Sequence, residues 1–140
     1  MRFVIVTLLV FCVAGGPTAA TAAEGPPVIH EPFTKLGCPA HPVSTVELEG
    51  CAEKALLASN RQVDAAASRI FRLVRSDAAR KSFARGEQLW LQYRRVSCSA
   101  ESSKYVGGTG GPLLYLDCEI RRNKTHLTDL LQMERTLRRS

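Results

Sequence analysis

The groups in this 140-residue chain best suited to chemistry are a few carboxylates, thiols and imidazoles. Glu47, Glu49 and Glu53 crowd into one short stretch and resemble a catalytic acid cluster. Cys38-Pro-Ala-His41 sets a thiol and an imidazole at a faintly metal-like spacing. Each has a plainer explanation. The glutamates fall in the opening turns of an expected helix, where the dipole favours anions. His30, His41 and His126 are scattered along the chain, and the cysteines are better used in bridges than as nucleophiles or ligands. No G-x-S-x-G and no nucleotide-binding glycine motif occurs. The sequence therefore points away from an enzyme, with no catalytic residue, no metal and no cofactor expected.

The preference for bridges follows from the first residues. Met1 and Arg2 give a short positive start, Phe3 to Val13 is an apolar run, and Ala20-Thr21-Ala22-Ala23 supplies the small residues of a signal-peptidase site. A run this short falls below the ~20 residues of a membrane span. Residues 1–23 read as a cleaved export signal, which places the mature protein in the periplasm or outside the cell. Of five cysteines, Cys12 leaves with the signal, and Cys38, Cys51, Cys98 and Cys118 remain in an oxidising compartment. Two disulfides are expected, in one of three pairings that sequence leaves open. Local pairing, Cys38 with Cys51 and Cys98 with Cys118, makes topological sense and is worth about 3 kcal/mol per bridge in chain entropy.

These groups must be positioned by helices. Residues 24–43 form a proline-rich leader in which Pro26, Pro27, Pro32, Pro39 and Pro42 exclude helix. Ser44 can then cap a helix, with Glu47 bonding back and Val43 packing on Leu48 across the cap. The apolar positions Leu48, Ala52, Ala55, Ala66, Ile70 and Val74 predict its buried face, with Val63 and Phe71 beside them, and an end near Arg75. Ser76 or Asp77 caps a second helix with the face Ala79, Phe83, Gly86, Trp90, Tyr93 and Ser97. The segment KYVGGTGGP cannot be regular, and Pro112 suits the first turn of a third helix marked by Leu113, Leu116, Ile120, Leu127, Leu130, Leu131 and Leu137. The fold class is all-α, a three-helix antiparallel bundle over 44–140 with an extended N-terminal leader, stapled by two disulfides. Trp90, Tyr93 and Arg94 are expected to be structural, the arginine lying over the Trp90 ring.

The combination Trp90-Leu-Gln-Tyr93-Arg94-Arg-Val-Ser-Cys98, Tyr105-Val-Gly107-Gly108-Thr109 and Tyr115-Leu-Asp-Cys118 resembles the signature of the LprI-type lysozyme-inhibitor family. Upstream, Glu47-Leu-Glu-Gly-Cys51-Ala52 and Asp64 to Phe71 are similar to that family's acidic approach to a Cys-Ala pair and to its Asp-x-Glu-Leu-Asn-x-x-Tyr stretch. Ala66, Ala67, Ser68 and Phe71 depart from that pattern, as does His126 where an arginine is expected. The likeness covers about Cys38 to Leu131.

The resemblance implies a small exported module that inhibits a lysozyme or other muramidase. The loop 103–112 is the expected contact, through Lys104, Tyr105, Gly107, Gly108 and Thr109. A formal charge of +6, one unit lower once Arg2 is removed, supports a second reading: a non-inhibitory envelope protein whose basic third helix, Arg121 to Arg139, binds anionic cell-envelope polymer or lipid. Nucleic acid is not expected as a partner of an exported chain, and the sequence is silent on oligomeric state.

Overall fold

The computed structural model describes residues 25–139 apart from Thr34 and Val106, so the export signal expected over 1–23 lies outside the described residues. Three helices follow an extended leader: α1 (Thr45–Leu73), α2 (Asp77–Ser102) and α3 (Gly110–Leu137), with a 3-10 turn (Ser103–Tyr105) after α2. There is no strand among the described residues. None of these helices is long and apolar enough to cross a membrane.

Capping chemistry starts α1. The Ser44 hydroxyl accepts from the Glu47 amide while the Glu47 carboxylate accepts from the Ser44 amide, a complete capping box. The expected packing of Val43 on Leu48 is not made, since Val43 is 90% exposed and Leu48 faces solvent. The cause is a rotation of the buried face. In place of the predicted alanine stripe through Leu48 and Ala55, α1 buries Glu53, Leu56, Asn60, Val63, Ala67 and Ile70, steps of three and four that include two polar residues.

A similar rotation occurs in α2, capped by the Ser76 hydroxyl. Its interior positions are Ala84, Glu87, Arg94 and Cys98, while Ala79, Gly86 and Tyr93 of the predicted face are exposed. In α3 the interior positions are Leu116, Cys118, Glu119, Asn123, Leu130 and Glu134.

Cross-helix contacts set the directions. Asn60 meets Asn123 and Arg69 meets Glu134, so α1 and α3 run parallel; Glu87 meets His126 and Cys98 meets Cys118, so α2 runs antiparallel to α3. α3 packs mainly on α1. The apolar core, Val63, Ala66, Ala67, Ile70 and Leu130 with Phe83, Trp90 and Leu127 against it, fills the end where α1 turns into α2. The opposite end holds both disulfides, Cys38–Cys51 and Cys98–Cys118, the local pairing.

The leader runs back along α1. The Ile29 amide donates to Asp64 Oδ1 at 3.1 Å, and the Leu36 amide donates to Glu53 Oε2 at 2.7 Å, before Cys38 joins Cys51. Its closest approach is at Gly50, where a Cβ would sit 2.1 Å from the Gly37 carbonyl oxygen. The Cys38–Cys51 disulfide, one residue away in each segment, holds the two backbones together, so the clash is relieved only at a cost. Gly50→Ala should therefore displace the leader and destabilise the protein by about 1–3 kcal/mol, the usual range for overpacking; urea unfolding, with limited proteolysis between residues 25 and 43, checks both effects.

Candidate functional site

Between the apolar end and the disulfide end lies a layer of buried polar side chains centred on Arg94, which is only 3% exposed. Its Nη1 donates to Asn60 Oδ1 on α1 and Asn123 Oδ1 on α3, both at 2.9 Å, and its Nη2 donates to Glu31 Oε1 of the leader at 2.8 Å. Asn60 Nδ2 donates to the same Glu31 oxygen at 2.7 Å, and Asn123 Nδ2 donates to Asn60 Oδ1 and to Ser59 Oγ. Arg94 Nε lies 3.3 Å from Glu119 Oε1, an ion pair without hydrogen-bond alignment. The guanidinium also lies 5.7 Å from the centre of the Trp90 ring, the expected contact, though inside the protein and not on its surface.

Tyr115 links this layer to the disulfide end. Its hydroxyl donates to Glu119 Oε1 at 3.0 Å while its ring lines an open cleft of about 410 Å³. Burial, followed by the Glu119 charge, pushes Tyr115 up to about 12, so it remains a donor throughout the neutral range. The other walls of the cleft include Phe33 from the leader, Glu49 and Glu53 from α1, Tyr105 from the segment joining α2 to α3, and Pro112 from the first turn of α3.

The structure brings Tyr105, Gly107 and Gly108 of the predicted loop to the cleft and leaves Lys104 and Thr109 exposed beside it. The loop is shorter than the sequence suggests. Residues 103–105 form a 3-10 turn, the Gly108 amide closes on the Tyr105 carbonyl at 3.1 Å, and α3 already begins at Gly110. Cys98–Cys118 holds the two helices with Cα atoms 5.5 Å apart, which leaves little distance to span. Among the described residues only Gly107 has a positive φ, at 85°.

Tyr93 takes no part in the core. It is 53% exposed, about 60° around the helix from Trp90 and about 100° from Arg94, with the Arg122 guanidinium 5.4 Å from its ring centre. Trp90 stacks on His126 at 3.8 Å, and His126 Nε2 pairs with Glu87 Oε2 at 3.0 Å, so the residue that departs from the expected arginine fills an interhelical contact. Cys38 is bonded to Cys51 and is no thiolate ligand beside His41.

Of the cleft residues, Glu49 and Glu53 were raised from the sequence as an acid cluster and assigned to the helix dipole, while Phe33 and Tyr115, and the hub residues Glu31, Asn60, Glu119 and Asn123, were not singled out as site residues. Polar residues at helical spacing within each helix, Glu53 with Asn60, Glu87 with Arg94 and Glu119 with Asn123, were the available signal, but such a row is indistinguishable from an exposed face until a partner helix is placed opposite.

A small all-α module, braced by disulfides around an open cleft at one end, is the class that fold and site define. Residues 38–130 match the family of lysozyme inhibitor LprI, and the chain belongs to that family. No curated protein and no solved structure matches it. The matched span includes the joining segment and both cleft glutamates but not Glu31 or Phe33 of the leader.

The buried layer has a pH signature. Burial raises Glu119, against the opposing pull of Arg94, so the folded protein holds that proton more tightly than the unfolded chain. This contribution is complete below the ordinary value of 4.5 and is lost as pH climbs through the folded-state pKa. Glu134, held down by hydrogen bonds from Arg138 and Arg69, acts in the opposite sense: its contribution is present above 4.5 and lost on acidification. Glu119→Gln removes the first effect alone, so the stability of the variant relative to wild type should rise with pH above 4.5. Urea melts from about pH 4 to 8 measure this, and a difference constant with pH would contradict it.

Proposed function

We propose that the protein acts outside the cytoplasm as an inhibitor of a lysozyme or related muramidase, seating the disulfide-braced end of the bundle on the enzyme through the cleft and the segment Lys104 to Thr109. The observation that carries this reading is the cleft itself: a concave surface of about 410 Å³ formed where the leader, α1 and the α2–α3 connection converge. Membership of the lysozyme-inhibitor family and two disulfides, which persist in oxidising compartments, agree with it.

The physical argument is one of preorganisation. A loop that orders only on binding loses affinity to conformational entropy, whereas this connection is bonded to itself at Gly108 and clamped by Cys98–Cys118. Tyr105 is half exposed at its crest and brings a large rigid surface of the kind enriched at interface hot spots. Lys104, whose ammonium lies 5.2 Å from the Tyr105 ring centre, can reach the carboxylate pair of a glycosidase cleft.

The alternative of a basic α3 lying on anionic envelope polymer is less well supported. Arg121 is paired with Glu101, Arg122 lies over Tyr93, and Arg138 is bonded to Glu134, so three of the basic side chains of that face already have partners.

Changing Lys104 and Tyr105 together to alanine should lower inhibitory potency at least tenfold in a cell-wall turbidity assay and leave the helical circular dichroism unchanged. Unchanged potency would remove this segment from the contact. Binding to isolated envelope that vanishes with moderate salt, with no muramidase affected, would support the polymer reading instead.

A further inference from the structure

The formal charge of the chain is +6, yet no lysine, arginine or histidine lines the cleft at the disulfide end, and its charged groups are the carboxylates of Glu49 and Glu53. They stand four residues apart on one face of α1. Glu53 is buried and committed, its Oε2 accepting the Leu36 amide. Glu49 is half-buried and forms no hydrogen bond or ion pair with any described residue. The N-terminus of α3 adds about half a positive charge nearby and the Lys104 ammonium beside Tyr105 one more, which the two carboxylates together still outweigh. Around them stand the rings of Phe33, Tyr105 and Tyr115. Aromatic faces attract cations, and Tyr105 already has one near it in the Lys104 ammonium.

We propose that this cleft is a receptor for one arginine side chain of the partner, its guanidinium forked onto Glu49 and its stem and plane laid against Phe33 and Tyr105. Arginine fits better than lysine because a planar fork matches a carboxylate through two bonds and stacks on rings. The receptor deepens the reading of the protein as an inhibitor and reverses its main electrostatic difficulty. A basic chain approaching a cationic lysozyme is repelled at long range, but that field is screened beyond about 8 Å at physiological salt. Inside that distance the partner meets a locally acidic, aromatic-walled cleft.

The test uses the oxidised, uniformly ¹⁵N-labelled protein and N-acetyl-arginine amide as probe. Saturable shifts of the Gly107 and Gly108 amides are expected, with affinity at least tenfold weaker in Glu49→Gln. No saturable shift, or equal affinity in the variant, overturns the receptor; so does a neutral chitin trisaccharide that binds the same amides more tightly than the arginine probe, which would make the cleft a sugar subsite. The titration needs no inhibited enzyme. If no muramidase is inhibited while the arginine shifts persist and Glu49→Gln weakens them, the inhibitor reading fails and the cation receptor stands.

Discussion

A guanidinium keeps its charge at any pH at which proteins function, so burying Arg94 removes a charge from water without the option of neutralising it. The cost is large unless nearly every donor finds an acceptor, and removing one partner from such a pair generally costs about 3–5 kcal/mol. Arg94 meets this demand with partners from every neighbouring element: Glu31 from the leader, Asn60 from α1, and both Asn123 and Glu119 from α3. Apolar side chains tolerate sliding, since one methyl packs much like another. A forked cation surrounded by two amides and two carboxylates does not. If α1 slipped one turn against α2, the bond between Asn60 and the Arg94 guanidinium would be lost with both groups still buried. The polar layer therefore fixes which residues stand at the same height in the bundle, while the apolar end supplies most of the burial.

Everything at the disulfide end depends on that register. Tyr115 carries it upward, bonded to Glu119 below and lining the cleft above. The leader carries it along the outside, because Glu31 is fastened two residues before Phe33 reaches the cleft wall, and Cys38–Cys51 fastens it again beyond. Cys98–Cys118 holds the two helix ends from which the Tyr105 segment projects. A cleft lined by the leader, α1, the α2–α3 connection and the start of α3 is thus kept in shape by covalent bridges above and by a charged hub below.

Much of this was legible in the residues. Ser44 and Glu47 announced the start of α1, the four cysteines Cys38, Cys51, Cys98 and Cys118 announced two bridges, and the proline spacing announced an extended leader. The W-x-x-Y-R-x-x-x-C pattern and its downstream partners pointed to the family. The buried faces were misread for a specific reason. Hydrophobic periodicity locates an interior only when the interior is apolar, and here Glu53, Asn60, Glu87, Arg94, Glu119 and Asn123 hold interior positions. Counting alanines and leucines rotated α1 toward Leu48 and Ala55 and drew Tyr93 into the core of α2. Glu31 was invisible for another reason: nothing in a proline-rich stretch distinguishes a carboxylate that crosses the chain to meet a guanidinium from one left in water. The glutamates near the start of α1 were explained by the helix dipole alone, and that Glu49 and Glu53 share a cleft with Phe33 and Tyr105 appears only when the leader and the α2–α3 connection are placed beside α1.

The hub can be observed without perturbing it. Side-chain ¹⁵N NMR of Arg94 reports whether its guanidinium is held. The account predicts separately resolved, slowly exchanging Nη1 and Nη2 hydrogens, with the Nη2 pair shifting most when Glu31 is replaced by glutamine. A single averaged signal exchanging freely with water would mean that the leader and the three helices are not joined at this residue.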